Sequence, residues 1–374
     1  MNPSQSATAS ARARSVTAAS PPDAHDLACV LHLHSTYSDG TASVDEIVEA
    51  ARATDTDVVL LTDHDTLGAR DDGCEGWHGD VLLLVGVEVS PNGGHFLAFG
   101  IDETPSKAGG EASIPEAVAA LGGFGFAAHP FSAGSRMAER LRLTKRMGRP
   151  HGWPAELRGG LAGIELWSLT TDAAEAWRHP LEAFAYMRHP ERHLDGPPAH
   201  HLEAWDELCA AGRVVAVGGL DTHQHGFRVR GRMFTPMPNE RYFGLLRTYA
   251  LCDQPPSRDL ATDSAAVLES LREGRCYLGI DGIAPARGFR FWGESEDDAV
   301  AMGAERAAGD WTLKVRLPRD AETTLLRNGR VIARGSGRNL EHRTGEPGVY
   351  RVEARLEIHG RSRAWIYSNP IYLR

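Results

Sequence analysis

The chain contains His32-Leu33-His34 at the end of a predicted strand, Ser38-Asp39-Gly40 shortly after it, and Thr62-Asp63-His64-Asp65 further on. Residues i and i+2 of a strand point to the same face, so the two imidazoles of the first motif can bind one ion without distorting the backbone. The later motifs add carboxylates and a third imidazole. The pattern therefore predicts a metal site at the ends of adjoining strands.

Polar side chains also follow three later apolar runs. Glu88 follows residues 81–87, His129 follows residues 124–128, and Asp221-Thr222-His223 comes after residues 214–217. The runs are short and rich in Val, Leu or Ala, which favours parallel strands buried on both faces. An α/β barrel gathers its chemistry at the carboxyl ends of its strands, and this order of elements predicts such a barrel.

Helical patterns separate the predicted strands. Ser43-Val44-Asp45-Glu46 fits a capping box, and Ser113-Ile114-Pro115-Glu116 opens a second helix similarly. A third helix is predicted at residues 199–211, with Gly212 in the left-handed conformation that ends it. A fourth is predicted near residues 264–273. The alternation of strand and helix is the one that a barrel requires.

Near the end of the chain, the spacing of apolar residues changes to a period of two. Apolar residues alternate with polar ones from Trp311 to Leu317 and again from Tyr350 to Ile358, and Asn328-Gly329 between two β-rich runs is a hairpin signal. This pattern predicts antiparallel sheet with one solvated face. At about 90 residues, the region has nearly the size of an immunoglobulin-type sandwich.

The chain is therefore divided into three parts. We predict a disordered tail at residues 1–25, a barrel at 26–285 and a small β-sandwich domain at 286–374. Within the barrel, residues of about 135–200 are rich in Pro and Gly and are predicted to form an elaborated loop region over the mouth, where it narrows the substrate range.

Composition limits the class of protein. The chain has 374 residues, 42% of them hydrophobic, and a net charge of −10. No segment approaches the ~20 apolar residues of a membrane span. The acidic balance disfavours nucleic acid as a partner, because binding to its backbone needs Lys and Arg. Five widely spaced cysteines indicate a reducing compartment, so we expect a cytoplasmic protein that acts on a small molecule.

The motifs together resemble the PHP (polymerase and histidinol phosphatase) superfamily. The matching positions are His32, His34 and Asp39 in its first motif, His64 in its second, Glu88 in its third, Asp221 and His223 in its last, and His129 as a further ligand. The second half resembles the CehA/McbA-type branch of the superfamily. That likeness depends on Gly163-Ile164-Glu165-Leu166-Trp167, Trp205-Asp206-Glu207-Leu208 and Tyr367-Ser368-Asn369-Pro370-Ile371-Tyr372.

The resemblance implies a distorted (β/α)7 barrel that holds two or three divalent ions. By analogy the ligands fall into three sets: His32, His34, Glu88 and Asp221; Glu88 again with His129 and His95; and Asp39, His64 and His223. His95 follows a Gly-rich turn and is the position where the family varies. Mixed imidazole and carboxylate ligation suits zinc, manganese or iron better than calcium.

Paired ions of this kind favour hydrolysis of phosphate esters, because they activate water and clamp the oxygens around the phosphorus. The leading prediction is thus a phosphoesterase for a nucleotide or sugar phosphate. Its catalytic candidates are Asp65, which could orient a neighbouring ligand or move a proton, and His225 and Arg228 as phosphate contacts. The alternatives are a carbamate or carboxylic ester hydrolase of CehA/McbA type, a 5'-3' exonuclease, and a metal-binding module without activity.

Aromatic residues at the mouth, such as Trp153, Trp167 or Phe227, would favour the ester hydrolase, whereas convergent Arg and Lys would favour the phosphoesterase. Six other histidines lack helical or strand spacing and are predicted to lie in solvated loop; they are His151, His179, His189, His193, His200 and His201. The basic run from Arg136 to Arg149 fits a solvated helix face or a surface for an anion.

Overall fold

The computed structural model describes residues 23–141, 150–153, 161–229 and 232–374, with backbone alone for 227–229 and 232–234. Most of the predicted tail, most of the basic run and the side chains of Phe227 and Arg228 therefore lie outside the described residues. None of the described helices combines the length and the apolar character needed to cross a membrane.

The chain alternates helices with strands up to residue 279 and contains only strands thereafter. The strands are β1 (His25–Leu31), β2 (Val58–Leu61), β3 (Gly76–His78), β4 (Val81–Val85), β5 (Val87–Val89), β6 (Phe96–Phe99), β7 (Phe124–Ala127), β8 (Gly163–Ser168), β9 (Val215–Gly219), β10 (Phe227–Val229), β11 (Arg232–Phe234), β12 (Arg247–Cys252), β13 (Cys276–Gly279), β14 (Arg290–Glu294), β15 (Ala299–Ala301), β16 (Glu305–Arg306), β17 (Trp311–Arg327), β18 (Arg330–Thr344), β19 (Gly348–Ile358), β20 (Arg361–Ser368) and β21 (Ile371–Leu373). The helices are α1 (Val44–Ala53), α2 (Gly68–Asp71), α3 (Ile114–Ala120), α4 (Arg136–Leu141), α5 (Leu169–Ala176), α6 (Pro180–Arg188), α7 (Ala199–Ala211), α8 (Asn239–Phe243) and α9 (Leu260–Arg272).

Two sheets carry the predicted barrel strands. One has the order β5-β6-β7-β8-β9, and the other includes the run β13-β12-β1-β2-β4-β3. The parallel pairs β1–β2, β2–β4, β7–β8 and β8–β9 agree with the α/β prediction. Between the two sheets, the described strands form no continuous ladder: isolated bridges join Leu33 with Thr222 and His64 with Glu88, and single backbone hydrogen bonds such as Leu220 to Leu31 add to them. A closed seven-stranded barrel is therefore not seen, although the fold is mixed α/β as expected.

Local sequence explains the first helix. The Ser43 side chain accepts a hydrogen bond from the Glu46 amide, and the Glu46 carboxylate accepts one from the Ser43 amide. This confirms the predicted capping box, which pairs two amides that the helix itself leaves free. The buried residues Val44, Ile47, Val48 and Ala51 then form the side of the helix that faces the sheet.

Three local predictions are wrong. Ser113 makes no side-chain cap on α3, and Gly212 ends α7 in an extended conformation with φ −168° instead of a left-handed one. The predicted run 81–87 is broken at Gly86, where a Cβ atom would lie 2.5 Å from the Ala98 carbonyl oxygen. Glu88 consequently lies inside a strand of the second sheet, not after a strand of the first.

The region predicted as an elaborated loop contains regular structure in its described part. Strand β8 is fully buried, and α5 and α6 follow it directly. The high Pro content had masked the apolar run Ile164–Trp167, which is as short as the other core strands. The region therefore contributes a central strand to the second sheet.

The C-terminal strands continue the first sheet. From residue 290 onward the named elements are all strands, and Asn328 and Gly329 have positive φ at the predicted hairpin between β17 and β18. Strand β20 pairs with β13, so hydrogen bonds cross the predicted domain boundary at residue 285. The C-terminal strands are thus joined to the barrel strands rather than forming a sheet of their own.

Asn369 fixes this junction. Its side-chain oxygen accepts from the Ala216 amide at 2.8 Å, and its side-chain nitrogen donates to the carbonyl oxygens of Ala216 and Cys276, both at 2.9 Å. The residue is fully buried. One amide therefore binds the edges of β9 and β13, and β9 is the strand that precedes Asp221.

Substitution Asn369→Ala should lower the free energy of unfolding by about 2–4 kcal/mol, because it leaves buried backbone groups of β9 and β13 without partners. Urea unfolding followed by circular dichroism measures the change. The control is Asn339→Ala on an exposed position of β18, which should change stability little. Equal effects of the two substitutions would contradict this role for Asn369.

Four of the six histidines predicted in solvated loop lie elsewhere; two of them are His193, in the short 3-10 helix Pro190–His193, and His200, on α7. His201 is 4% exposed on α7, with its Nδ1 atom 3.1 Å from the Leu166 carbonyl oxygen. His151 lines the cavity described below. Burial, with a smaller contribution from His200, lowers the pKa of His201 to about 4. The fold therefore requires a neutral imidazole at position 201.

Since the pKa of His201 is lower in the folded chain than in the unfolded one, the unfolded chain binds more protons between pH 6.5 and 4. Stability from this group is complete above pH 6.5 and is lost as the pH falls toward 4. His201→Gln should therefore reduce the loss of unfolding free energy between pH 7 and pH 5 by about 1–2 kcal/mol. His200→Gln, on the exposed neighbour, is the matched control in urea titrations at both pH values. An identical pH dependence in both variants would refute the assignment.

Candidate metal centre

The candidate ligands lie where strands end and the backbone turns sharply. His32 follows β1, His129 follows β7 and Asp221 follows β9, and all three have positive φ, at 59°, 29° and 47°. Side chains other than glycine rarely adopt this conformation, and such residues concentrate at functional sites. These turns direct the side chains of His32, His129 and Asp221, which follow strands of both sheets, into one space.

Glu88 is at the centre of this space. Its carboxylate oxygens lie 2.8 Å from His95 Nδ1, 3.0 Å from His64 Nδ1, 3.2 Å from His34 Nε2, 3.2 Å from His129 Nε2 and 3.4 Å from His32 Nε2. The side chain of Glu88 is 1% exposed. All the imidazoles expected around Glu88 are therefore brought to it, His95 included.

Two other carboxylates complete the cluster. Asp221 Oδ1 lies 3.4 Å from His32 Nε2 and 3.6 Å from His34 Nε2. Asp39 Oδ1 lies 3.1 Å from His223 Nε2 and 3.6 Å from His64 Nε2. Gly40 permits this arrangement, because a Cβ atom there would lie 2.2 Å from the His34 carbonyl oxygen. The nine side chains predicted as metal ligands thus form one continuous cluster.

Charges in the cluster are mutually dependent. Burial would raise the pKa of the Glu88 carboxyl, but His64, His32 and the other imidazoles hold it well below its usual range. Burial likewise would raise the pKa of the Asp221 carboxyl, but His32 and His34 hold it well below its usual range. Burial lowers the pKa of His95, so that ring is neutral and has a lone pair available for a ligand bond. Burial opposes protonation of His32 and His129, but Glu165 and Glu88 raise the pKa of His32, and Glu88 raises the pKa of His129. The site therefore combines buried anions with imidazoles whose pKa values are shifted in opposite directions.

The donor atoms fit divalent ions. Four overlapping groups have donor atoms within 4.8 Å of one another: His34, Asp39, His64 and His223; His32, Glu88 and His129; His32, His34 and Asp221; and His64, Glu88 and His95. Within the described chain, His32 Nε2, His34 Nε2 and Glu88 Oε2 are buried and have no hydrogen-bond partner. Buried polar atoms are nearly always paired, so these three lack the partner that a cation would supply.

The carboxylates beside the ligands have separate roles. Asp63 accepts hydrogen bonds from the Ser35 amide and from the hydroxyls of Ser35 and Ser38, which fixes the loop that leads to Asp39. Asp65 accepts from the Ser90 amide at 2.9 Å and from Lys107 at 2.8 Å. The catalytic candidate Asp65 is therefore placed behind the ligands, where it holds the segment that contains Ser90.

The Ser90 hydroxyl lies 2.7 Å from His64 Nδ1. Asp65 thus supports a ligand through Ser90, which matches the orienting role among the two considered for it. The other predicted catalytic residue with a described side chain, His225, lines the cavity and stacks on His223 with ring centroids 5.0 Å apart. Burial, and then His223, lowers the pKa of His225.

Glu165 is the functional candidate that the sequence did not identify. One carboxylate oxygen lies 2.7 Å from His32 Nδ1, and the other accepts a 2.7 Å hydrogen bond from the His129 amide. Gly219 makes room for it, since a Cβ atom there would lie 1.9 Å from Glu165 Oε1. In the sequence, this role could have been indicated by a single acidic residue inside an apolar run. Glu165 fixes two candidate ligands from one buried position.

One cavity of about 320 Å³ opens onto the cluster. Asp39, Glu88, His129 and Asp221 line its polar part together with His151 and His225. Thr171, which also lines it, donates a hydrogen bond to Asp221. Trp153, suggested for the mouth, donates from its ring nitrogen to the His95 carbonyl oxygen instead, and Trp167 is 5% exposed in β8.

The apolar part of the cavity is formed by a different set of residues. It is lined by Ala174, Trp177, Tyr186, Met187, Pro236, Met237 and Tyr242. Burial, followed by the charge of Asp221, raises the pKa of Tyr242 to about 12. The described lining includes neither Lys nor Arg.

Glu165→Gln should weaken binding of Mn²⁺ by about 10–100-fold, the range found when a partner of a metal-bound histidine is removed. The amide keeps the shape of the side chain but not the charge that orients the His32 ring. Metal titration against a chromophoric chelator measures the affinity, and Glu116→Gln on an exposed position of α3 is the control. Unchanged affinity in the Glu165 variant would disprove the orienting role.

Comparison with known proteins connects this geometry to a family. The PHP domain profile matches residues 31–122. A 5'-3' exoribonuclease of Haemophilus influenzae is 38% identical over 82 residues, which are 21% of this chain and 30% of that protein. The chain therefore spans under a third of the length of this curated relative.

Two solved structures are also similar. One is a two-domain protein from Bacteroides vulgatus containing a predicted PHP-like metal-dependent phosphoesterase, with 15% identity over 97% of this chain and 100% of that chain and a TM-score of 0.44. The other, from Bifidobacterium adolescentis, is named as a candidate metal-dependent phosphoesterase, with 19% identity over 55% of this chain and 88% of that chain and a TM-score of 0.32. The chain is thus similar to the PHP domain family over residues 31–122, the segment that supplies His32, His34, Asp39, His64, Glu88 and His95.

Proposed function

We propose that the protein is a metal-dependent hydrolase that cleaves a phosphate ester of a small molecule. The observation that carries the proposal is the buried carboxylate of Glu88, surrounded by five imidazoles at 2.8–3.4 Å, with donor atoms that lack partners in the described structure. The match of residues 31–122 to the PHP domain family supports the same class of enzyme.

The ligand assignment follows the family resemblance, and the closeness of the nine side chains supports it. We assign His32, His34, Glu88 and Asp221 to one ion, Glu88 with His129 and His95 to a second, and Asp39, His64 and His223 to a third. The imidazole and carboxylate donors suit zinc, manganese or iron. When bound, such ions supply acidity for a water molecule and positive charge for the oxygens of the substrate.

The chain's own residues have three tasks in this reaction. Glu165 holds the His32 ring so that its opposite nitrogen faces the cluster, and Ser90 holds the His64 ring between Glu88 and Asp39. Thr171 holds Asp221. His225, neutral because burial lowers its pKa, can donate a ring N–H to a phosphoryl oxygen. Arg228 keeps its proposed role as a phosphate contact.

A second candidate is the hydrolysis of a carbamate or carboxylic ester, the activity suggested by the CehA/McbA-type resemblance. The aromatic side chains Trp177, Tyr186 and Tyr242, in a described lining without Lys or Arg, favour it. An exoribonuclease activity like that of the Haemophilus relative has less support, because an RNA backbone requires a groove of basic residues. We propose a cytoplasmic location and a small-molecule substrate.

The two candidates can be separated with purified protein loaded with Mn²⁺ or Zn²⁺. We expect turnover of p-nitrophenyl phosphate that exceeds turnover of bis-p-nitrophenyl phosphate and of a naphthyl carbamate. His34→Ala should reduce turnover by more than about 100-fold, beyond the usual loss for residues outside the ligand sphere. His25→Ala, on an exposed ring, is the control.

Circular dichroism establishes that each variant is folded. Turnover of the carbamate alone would replace the first candidate with the second. Full activity of a folded His34→Ala variant would refute the ligand assignment.

A further inference from the structure

We infer that the cavity contains a subsite for an apolar, ring-sized group of the substrate. The subsite consists of Trp177, Tyr186, Met187, Met237 and Tyr242 and is called the apolar wall below. The inference rests on the proposed function, because it assigns the organic part of the ester that the metal centre would hydrolyse.

Three separate segments build the apolar wall. Trp177 follows α5, Tyr186 and Met187 lie on α6, and Met237 and Tyr242 lie before and within α8. The rings of Trp177 and Tyr186 are tilted at 59° with centroids 5.5 Å apart. Convergence of aromatic and thioether side chains from distant segments is typical of sites for apolar ligands.

The apolar wall and the metal centre share one cavity. Glu88, His129 and Asp221 line the same space of about 320 Å³. A dry apolar cavity of about 150 Å³ binds benzene. The space therefore accommodates one or two fused rings together with an ester group at the ligand cluster.

The Tyr186 hydroxyl indicates that the ring-sized group of the substrate also carries a hydrogen-bond acceptor. The residue is 3% exposed, yet its hydroxyl has no hydrogen-bond partner among the residues described. A buried hydroxyl without a partner is costly, and packing alone would be served equally well by phenylalanine. A ligand oxygen next to the ring would accept the hydrogen bond of Tyr186.

The charges of the residues that line the cavity also discriminate between substrates. The described lining contains no Lys or Arg, while Asp39, Glu88, Glu175 and Asp221 are acidic. Ions at the cluster would neutralise one ester group, but a second phosphate would find no cation in the described cavity. Because the apolar wall offers aromatic and thioether surface to the organic part of the ester, where the hydroxyls of a sugar would lose their hydration, the substrate is an ester of an apolar aromatic alcohol in preference to a sugar phosphate or a nucleotide.

Steady-state kinetics of the Mn²⁺-loaded protein test this preference with 2-naphthyl phosphate, AMP and glucose 6-phosphate. We expect kcat/KM to be at least about tenfold higher for 2-naphthyl phosphate, the effect of burying one ring-sized apolar surface. Trp177→Ala and Met237→Ala should raise KM for 2-naphthyl phosphate about 5–10-fold and change KM for glucose 6-phosphate less than twofold. Leu181→Ala, 75% exposed on α6, is the matched control.

A binding measurement separates the subsite from the proposed reaction. Fluorescence titration with 2-naphthol should show binding that is weakened in the Trp177→Ala and Tyr186→Phe variants but not in Leu181→Ala. Tyr186→Phe should not weaken binding of naphthalene, which has no acceptor oxygen. Naphthol binding without turnover of any phosphate would keep the subsite and reject the phosphoesterase.

Turnover of AMP or glucose 6-phosphate at least as efficient as that of 2-naphthyl phosphate would overturn the subsite and keep the phosphoesterase. Naphthol binding of equal strength in wild type and all folded variants would overturn the subsite as well.

Discussion

The structure depends on one buried carboxylate. Glu88 is removed from water and lies within 3.4 Å of imidazole nitrogens from five histidines. A buried charge without compensation is among the most expensive features that a fold can contain. The imidazoles offset that charge only in part, because Glu88 Oε2 and the Nε2 atoms of His32 and His34 have no hydrogen-bond partner within the described residues. The arrangement is therefore one that a cation completes.

This requirement explains why the two sheets meet where they do. The bridges between Leu33 and Thr222 and between His64 and Glu88 join strands at the edge that carries the ligands. Asn369 reinforces the same region by binding β9 to β13 from the C-terminal part of the chain, and Arg351 forms a two-point ion pair with Asp206 on α7. The motifs that suggested the CehA/McbA-type branch thus include residues with structural contacts: Asp206 and Asn369 join the two parts of the chain.

Sequence identified the candidate ligands because their positions are local. A strand end, a turn and a polar side chain are encoded within a few residues, and all nine candidates were found this way or by resemblance. Features that depend on distant segments were missed. Glu165 is 133 residues from His32, and its carboxylate becomes meaningful only once β8 lies beside β1's loop. His201 was assigned to solvated loop although a helix was predicted over residues 199–211, because the sequence does not show which side of that helix packs against β8. Closure of the barrel was expected because alternation of elements does not determine which strands pair.

The ligand cluster and the apolar lining of the cavity have different roles. In the proposed function, the candidate ligands would hold cations that attract an anionic or polarised group of the substrate, whatever that group is attached to. Discrimination must then come from the remaining lining, and the described part of it offers aromatic rings and methionines rather than cations. Under the proposed function, reaction and substrate therefore depend on different segments of the chain: the reaction on short motifs after strands, and the substrate on α5, α6 and the residues around α8.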